Sequence, residues 1–313
     1  MTILFSNPVS ASPTETWQGE WLPETVREFP STTGSSNSCL NAGTFQTLNP
    51  PPAGLNGKVV FTQLNPQIQI VITGLDGGQK KVVAEGSRAA LTRDGVRLVY
   101  TTAEGIVILD LTSGKSTVIT GVFGLELHWS PDGSQIAYVN TGDSYGVFTI
   151  DSDGRNPKQL SNLGYESIAG WSPDGSRLYY AIPGSSGNGF LLRSVDVSNG
   201  NTRDLFVLDN SSRKAPMPAV SPDGKWIAYR ASNNSSLYIK GMDGSQARLL
   251  LDNPDNPVAA MNGITWDKES HWLGVSLITP EYPEGEIILI APDSCEIYRL
   301  PGLSGELEGL SIP

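Results

Sequence analysis

Two histidines and two cysteines in 313 residues leave little material for the commoner kinds of catalysis. A nucleophilic triad needs a base beside its serine or cysteine, and His128 and His271 are the only imidazoles available. No Gly-x-Ser-x-Gly turn presents a nucleophile, and a metal centre resting on several imidazoles is undercut by the same shortage. No metal and no cofactor is expected. Positive charge is scarce as well. Lys and Arg number 21 against 32 Asp and Glu, a net charge of −11, with no basic stripe to neutralise nucleic-acid phosphates. The same balance disfavours an anionic membrane surface. No apolar run approaches the ~20 residues of a membrane-spanning helix. The opening MTILFSNPVSASPTETW has no basic leader and an apolar run of three residues, Ile3 to Phe5, so it does not read as a signal peptide. Acidity, Ser/Thr/Asn-rich loops and two cysteines favour a periplasmic or extracellular domain, with the cytoplasm left open.

What the sequence has in quantity is turns: 34 glycines and 22 prolines interrupt short apolar runs throughout, a pattern of many short strands. One phrase recurs. WSPDGSQIAYV (129–139) returns as WSPDGSRLYYA (171–181) and VSPDGKWIAYR (220–230), at intervals of 42 and 49 residues. Pro presets φ, Asp bonds back to the backbone and Gly tolerates positive φ, so Ser-Pro-Asp-Gly is a tight turn. The strand after it is apolar on both faces, hence buried on both. Weaker copies are LTRDGVRLVYT (91–101), WDKESHWLGV (266–275) and the half-copy LNGKVVFT (55–62). A third strand ending in a polar turn and a short fourth strand follow each copy. Six such units predict an all-β fold, a six-bladed β-propeller of four-stranded antiparallel blades. The unit beginning at Leu55 lacks its inner strand, and GELEGLSIP (305–313) supplies it from the C-terminus. The ring then closes without open edges.

Tandem WSPDGxxIAY hairpins in six blades resemble the TolB-like, PD40 family of WD40-related bacterial propellers, whose propeller also occurs in prolyl oligopeptidases. The resemblance covers residues 55–313. It departs from TolB itself in its first 54 residues, a Pro/Ser/Thr-rich extension in place of an α/β domain, and from the oligopeptidases in carrying no hydrolase domain. The expected organisation is therefore an extension over 1–54, docked on a propeller over 55–313. The resemblance implies a binding scaffold, since function in such folds resides in loop faces and appended domains.

Candidate residues follow from the repeat. His128 precedes Trp129 on an inner strand where other blades carry Ala90, Gly170, Ala219 and Thr265. It is either a channel ligand or a hydrogen-bonded structural histidine. The connections entering the inner strands hold Glu85, Glu126, Glu166 and Glu306, with Glu308 one step on, and share a face with loops carrying Asp143, Tyr145 and Tyr282. We expect a binding site at this channel mouth, with Glu126, Glu166 and His128 near the axis and Tyr145, Tyr165 and Tyr282 around the rim. Its expected occupant is a protein or peptide, basic in character, bound by a monomer. The alternative is a carbohydrate- or peptide-active enzyme using mouth carboxylates. DSDG (151–154) lacks the further oxygen ligands of a calcium loop and reads as a hairpin turn. Trp129, Trp171 and Trp266 share one repeat position and are expected to pack between blades. Trp17 and Trp21 have no repeat to explain them and either dock the extension or bind a partner. Cys39 and Cys295 are expected to form a disulfide, because blades 1 and 6 are neighbours in a closed ring.

Overall fold

The computed structural model describes residues 39–41, 48–64, 66–142, 144–184, 189–209, 216–230, 236–252, 260–278 and 285–312. Trp17, Trp21, Asp143 and Tyr282, and most of the expected extension, lie outside them. The described residues all fall within one compact unit, 37–313.

Each sequence repeat becomes one antiparallel sheet. A two-residue strand, β1 (Leu40–Asn41), comes first. Blade 1 contains β2 (Lys58–Gln63), β3 (Gln69–Gly74) and β4 (Lys81–Glu85). Blade 2 runs β5 (Ser87–Leu91), β6 (Arg97–Thr102), β7 (Gly105–Asp110) and β8 (Ser116–Thr120). Blade 3 runs β9 (Gly124–Trp129), β10 (Gln135–Asn140), β11 (Gly146–Asp151) and β12 (Lys158–Gln159). Blade 4 runs β13 (Ser167–Trp171), β14 (Arg177–Pro183), β15 (Phe190–Asp196) and β16 (Thr202–Asp209). Blade 5 runs β17 (Ala219–Val220), β18 (Trp226–Arg230), β19 (Leu237–Gly241) and β20 (Arg248–Asp252). Blade 6 runs β21 (Ala260–Trp266), β22 (Leu273–Ile278), β23 (Glu286–Ala291) and β24 (Glu296–Arg299). The last strand, β25 (Glu306–Ser311), pairs with β2 through Leu310↔Val59 and Leu307↔Phe61 and completes blade 1. Neighbouring inner strands touch around the whole ring, so the protein is a six-bladed propeller closed by its C-terminal strand.

The repeated turn forms as its residues dictate. Asp132 Oδ1 accepts from the Ser130 hydroxyl at 2.7 Å and the Ser134 N–H at 3.0 Å, while the Ser130 oxygen accepts the Gln135 N–H at 2.9 Å. Gly133 sits at φ 66°, where a Cβ is disfavoured. These bonds hold the Asp132 carboxyl below its usual range, the Ser134 N–H contributing most. Thr92, Ser172 and Ser221 open the same motif, and in blade 6 Asp267 takes the serine's place, accepting the Trp272 N–H at 2.7 Å.

The core is divided among the joints between blades. Val60 and Ile70 of blade 1 meet Leu98 and Val107 of blade 2, and Val59 and Phe61 meet Ile287 and Leu289 of blade 6. The repeated tryptophans bridge these joints: Trp129 donates its indole N–H to the Ala90 carbonyl at 3.0 Å, Trp171 to His128 at 3.2 Å and Trp266 to Ala219 at 2.9 Å. Cys39 and Cys295 are disulfide-bonded, with Cα atoms 5.1 Å apart. The chain near Cys39 reaches further round than blade 6: β1 pairs parallel with β20, Leu40↔Leu251, as a fifth strand on blade 5. The Asn49 carbonyl then accepts the Arg299 N–H on blade 6, at 3.0 Å. Leu40–Asn41 and Asn49 thus bond to the outermost strands of blades 5 and 6 respectively.

Candidate functional site

The inner strands enclose a channel of about 360 Å³ along the ring axis. Its wall is mostly small: Ala90, Gly170, Ala219, Thr265 and Gly309 fall at the register position of His128, each opposite the matching residue of its second strand. His128 is the one large side chain in that ring. Burial pushes its imidazole down to about 4, so it is neutral at physiological pH.

The end of the channel where the inner strands begin is acidic. Five of these strands, β5, β9, β13, β21 and β25, are bulged near this end, and Arg88, Glu126 and, just ahead of β17, Met217 take φ of 56°, 51° and 46° at matching places. A bulge re-aims the side chain it carries. Glu126 Oε2 accepts the Ile168 N–H at 2.6 Å and Oε1 accepts the Ser167 hydroxyl at 3.2 Å, tying blade 3 to blade 4. Glu308 Oε1 accepts the Arg88 N–H at 2.8 Å and the Thr62 hydroxyl, tying blade 1 to blade 2. Burial pushes Glu126 up to about 7, against the pull of these donors and of Arg88. Burial and the neighbouring Glu306 push Glu308 up to about 8. Glu306 is itself raised by burial, opposed by Arg88. The channel mouth thus gathers three carboxyls about Arg88, Glu126 and Glu306 feeling its charge and Glu308 accepting its backbone N–H.

Glu166 lies elsewhere. It is buried beneath the 160–166 loop, where Oε1 accepts from the Ser161 hydroxyl and the Leu163 N–H, both at 2.7 Å, and it does not line the channel. Its bonds shape the loop that presents Tyr165, which is 80% exposed, and Leu163, 56% exposed. Phe123 (45%) and Tyr145 (40%) lie on adjoining loops of the same face. Burial pushes the Tyr145 phenol up, against a hydrogen bond from the Tyr165 backbone. Four exposed apolar or aromatic side chains on blades 3 and 4 thereby border the acidic mouth. Arg88, Phe123 and Leu163 escape sequence reasoning. The repeat gives no sign of which inner-strand residue is bulged inward or which loop residue is left uncovered.

His271 is exposed in the blade 6 turn. Among the described residues no group of three or more His, Cys, Asp or Glu side chains is placed to hold a metal ion, and no helix is long and apolar enough to cross a membrane.

A family model of the TolB beta propeller domain, PD40, matches residues 53–265. TolB from Acinetobacter baumannii superposes with a TM-score of 0.66 at 20% identity, over 82% of this chain and 66% of that one. A putative TolB from Agrobacterium tumefaciens superposes with a TM-score of 0.63 at 18% identity, over 81% of this chain and 91% of that one. A chain of a nidogen/laminin complex superposes with a TM-score of 0.60 at 12% identity, over 82% of this chain and 98% of that one. At these identities the likeness is one of fold. No curated protein matches the chain in sequence.

Proposed function

The chain belongs to the PD40 family of TolB beta propeller domains, and from that premise we propose that it is a non-enzymatic scaffold that binds a protein or peptide at the acidic mouth of its channel. One observation carries this reading: Glu126, Glu306 and Glu308 converge on a single arginine, beside the exposed Phe123, Tyr145, Leu163 and Tyr165. Exposed aromatics beside a recess are the usual anchors of protein interfaces. The carboxyls supply the chemical preference. A lysine or arginine of the partner entering the mouth stabilises the ionised forms of Glu126 and Glu308, so binding releases protons near neutral pH. The loops of this face differ in every blade while the opposite turns are nearly identical, and individuality resides in variable loops on a rigid frame.

The mouth carboxyls are poorly placed for acid–base catalysis. Both oxygens of Glu126 and one of Glu308 are engaged by donors of the neighbouring blade, which suits joining blades better than exchanging protons with a substrate. A periplasmic or extracellular setting agrees with the Cys39–Cys295 bond.

The test is selection of displayed random peptides against the full chain, followed by titration of the enriched sequences over a salt series. Enrichment of Lys and Arg beside aromatic residues is expected, with affinity that falls as salt rises. Affinity should also fall at least about tenfold in the Glu126→Gln/Glu308→Gln protein. Enriched peptides that bind that variant with unchanged affinity and salt slope would remove the mouth from consideration.

A further inference from the structure

The joint between blades 2 and 3 shows one way in which interblade space is filled. Arg97 lies over the Trp129 ring, 4.8 Å from its centroid, and donates to the Gly133 carbonyl at 2.7 Å in the turn of blade 3. The joint between blades 4 and 5 departs from this. Val220 stands where blade 3 has Trp129, opposite Ile227 as Trp129 is opposite Ile136. Arg177 holds the place of Arg97, at the start of the second strand and paired with Asp196 as Arg97 is with Asp110. The inner strand of blade 5 offers it no indole, and among the described residues its side chain makes no hydrogen bond to the blade 5 turn.

A cavity of about 680 Å³ remains there, its lining including Arg177, Tyr179, Arg203 and Leu205 of blade 4 and Lys225, Trp226, Met242 and Asp243 of blade 5. The size falls within the ~300–1,000 Å³ of small-ligand sites. Alternation along β14 and β16 puts Arg177, Tyr179, Arg203 and Leu205 on one face of blade 4. Arg203 is exposed. Lys225 is held by Asp223 at 3.4 Å. In a protein of net charge −11, three cations converging on an aromatic and aliphatic floor are out of keeping with the surface at large.

We propose that this cavity binds a hydroxylated carboxylate of sugar-acid size, a uronate or short oligouronate, with its carboxylate between Arg177 and Arg203 and its ring on Tyr179 and Leu205. Planar guanidinium forks match the two oxygens of a carboxylate, and aromatic faces pack against the C–H face of a sugar ring. Nearby acidic groups narrow the choice. Asp174, Asp196 and Asp243 stand close, each holding its own turn through Ser172 and Ser176, Ser198, or Ser245. Their repulsion falls more heavily on a doubly charged phosphate than on one carboxylate seated between the arginines, and their remaining lone pairs can accept from the hydroxyl groups that a sugar acid has and a polyglutamate lacks.

Isothermal titration of the full chain with sodium glucuronate and trigalacturonate tests this, with glucose, inorganic phosphate and hexaglutamate as comparisons. Both uronates are expected to bind and glucose is not. Arg177→Gln and Arg203→Gln should each weaken uronate binding about tenfold or more, whereas Arg155→Gln, an equal change of charge on the blade 3 turn, should leave it unchanged. If Arg177→Gln lowers the melting temperature, exposed Arg203 decides the matter. Absence of uronate binding, indifference to Arg203→Gln, or tighter binding of phosphate or hexaglutamate than of uronate would each overturn the assignment.

Discussion

Replacing Glu308 by Gln should stabilise the protein above neutral pH and change it little at pH 5. Burial, reinforced by Glu306, holds the folded-state carboxyl at about 8 against an ordinary 4.5. Between those values the folded protein keeps a proton that the unfolded chain has lost. Stability from this group is therefore greatest below 4.5 and declines as pH rises towards 8. At ~1.4 kcal/mol per pH unit the full difference is about 5 kcal/mol. Sharing of charge with Glu306 and water in the open channel reduce it to about 2–3 kcal/mol. Gln keeps the carbonyl oxygen that accepts from Arg88 and Thr62 but has no charge to bury. Its advantage over the parent should grow from near zero at pH 5 to about 4–6 °C in melting temperature at pH 9, taking ~2 °C per kcal/mol for a domain of this size. Thermal melts of both proteins at five pH values measure it. A difference that is flat or shrinks as pH rises would show that Glu308 is not held protonated by its surroundings. The stabilising role assigned to a cationic partner would then lose its basis.

Two further predictions concern the frame. Deleting residues 304–313 removes Leu307, Leu310 and Ile312, all buried; at ~1.5–3 kcal/mol each this is about 5–9 kcal/mol, comparable with a whole domain's ~5–15 kcal/mol. No cooperative melt is expected from the truncated protein, and one within a few degrees of full length would refute closure by β25. Cys295→Ser opens a covalent loop spanning 256 residues, for which chain entropy sets a ceiling of ~5 kcal/mol. The variant should melt several degrees lower, and dithiothreitol should lower the parent's melting temperature but not the variant's. Equal sensitivity of the two proteins to reductant would sink the assignment.

Blade number, the second-strand core, the interblade tryptophans, the closing strand and the cysteine pair were all legible along the chain. Each depends on residues repeated at one place in a unit, or on the one member a unit lacks. Of the site, Glu126 and His128 could be placed by their position beside Trp129, and Tyr145 and Tyr165 by the loops that carry them. Glu166 was legible as an acid on a mouth-side connection but not as one turned under its own loop, because that depends on whether Ser161 and Leu163 offer it donors.

The sequence by itself therefore determined the architecture. Ser-Pro-Asp-Gly, its weaker variants and the apolar strand after them are local instructions, satisfied by neighbours a few residues away, and six units built on them leave a ring as the consistent outcome. Only the tertiary structure decided what the ring encloses. The inward bulges at Arg88 and Glu126, the gathering of Glu126 and Glu306 about Arg88 across some 180 residues, the strand Leu40–Asn41 on blade 5 and the cavity beside Val220 arise between blades. Packing and desolvation there bring together residues that no spacing in the sequence relates.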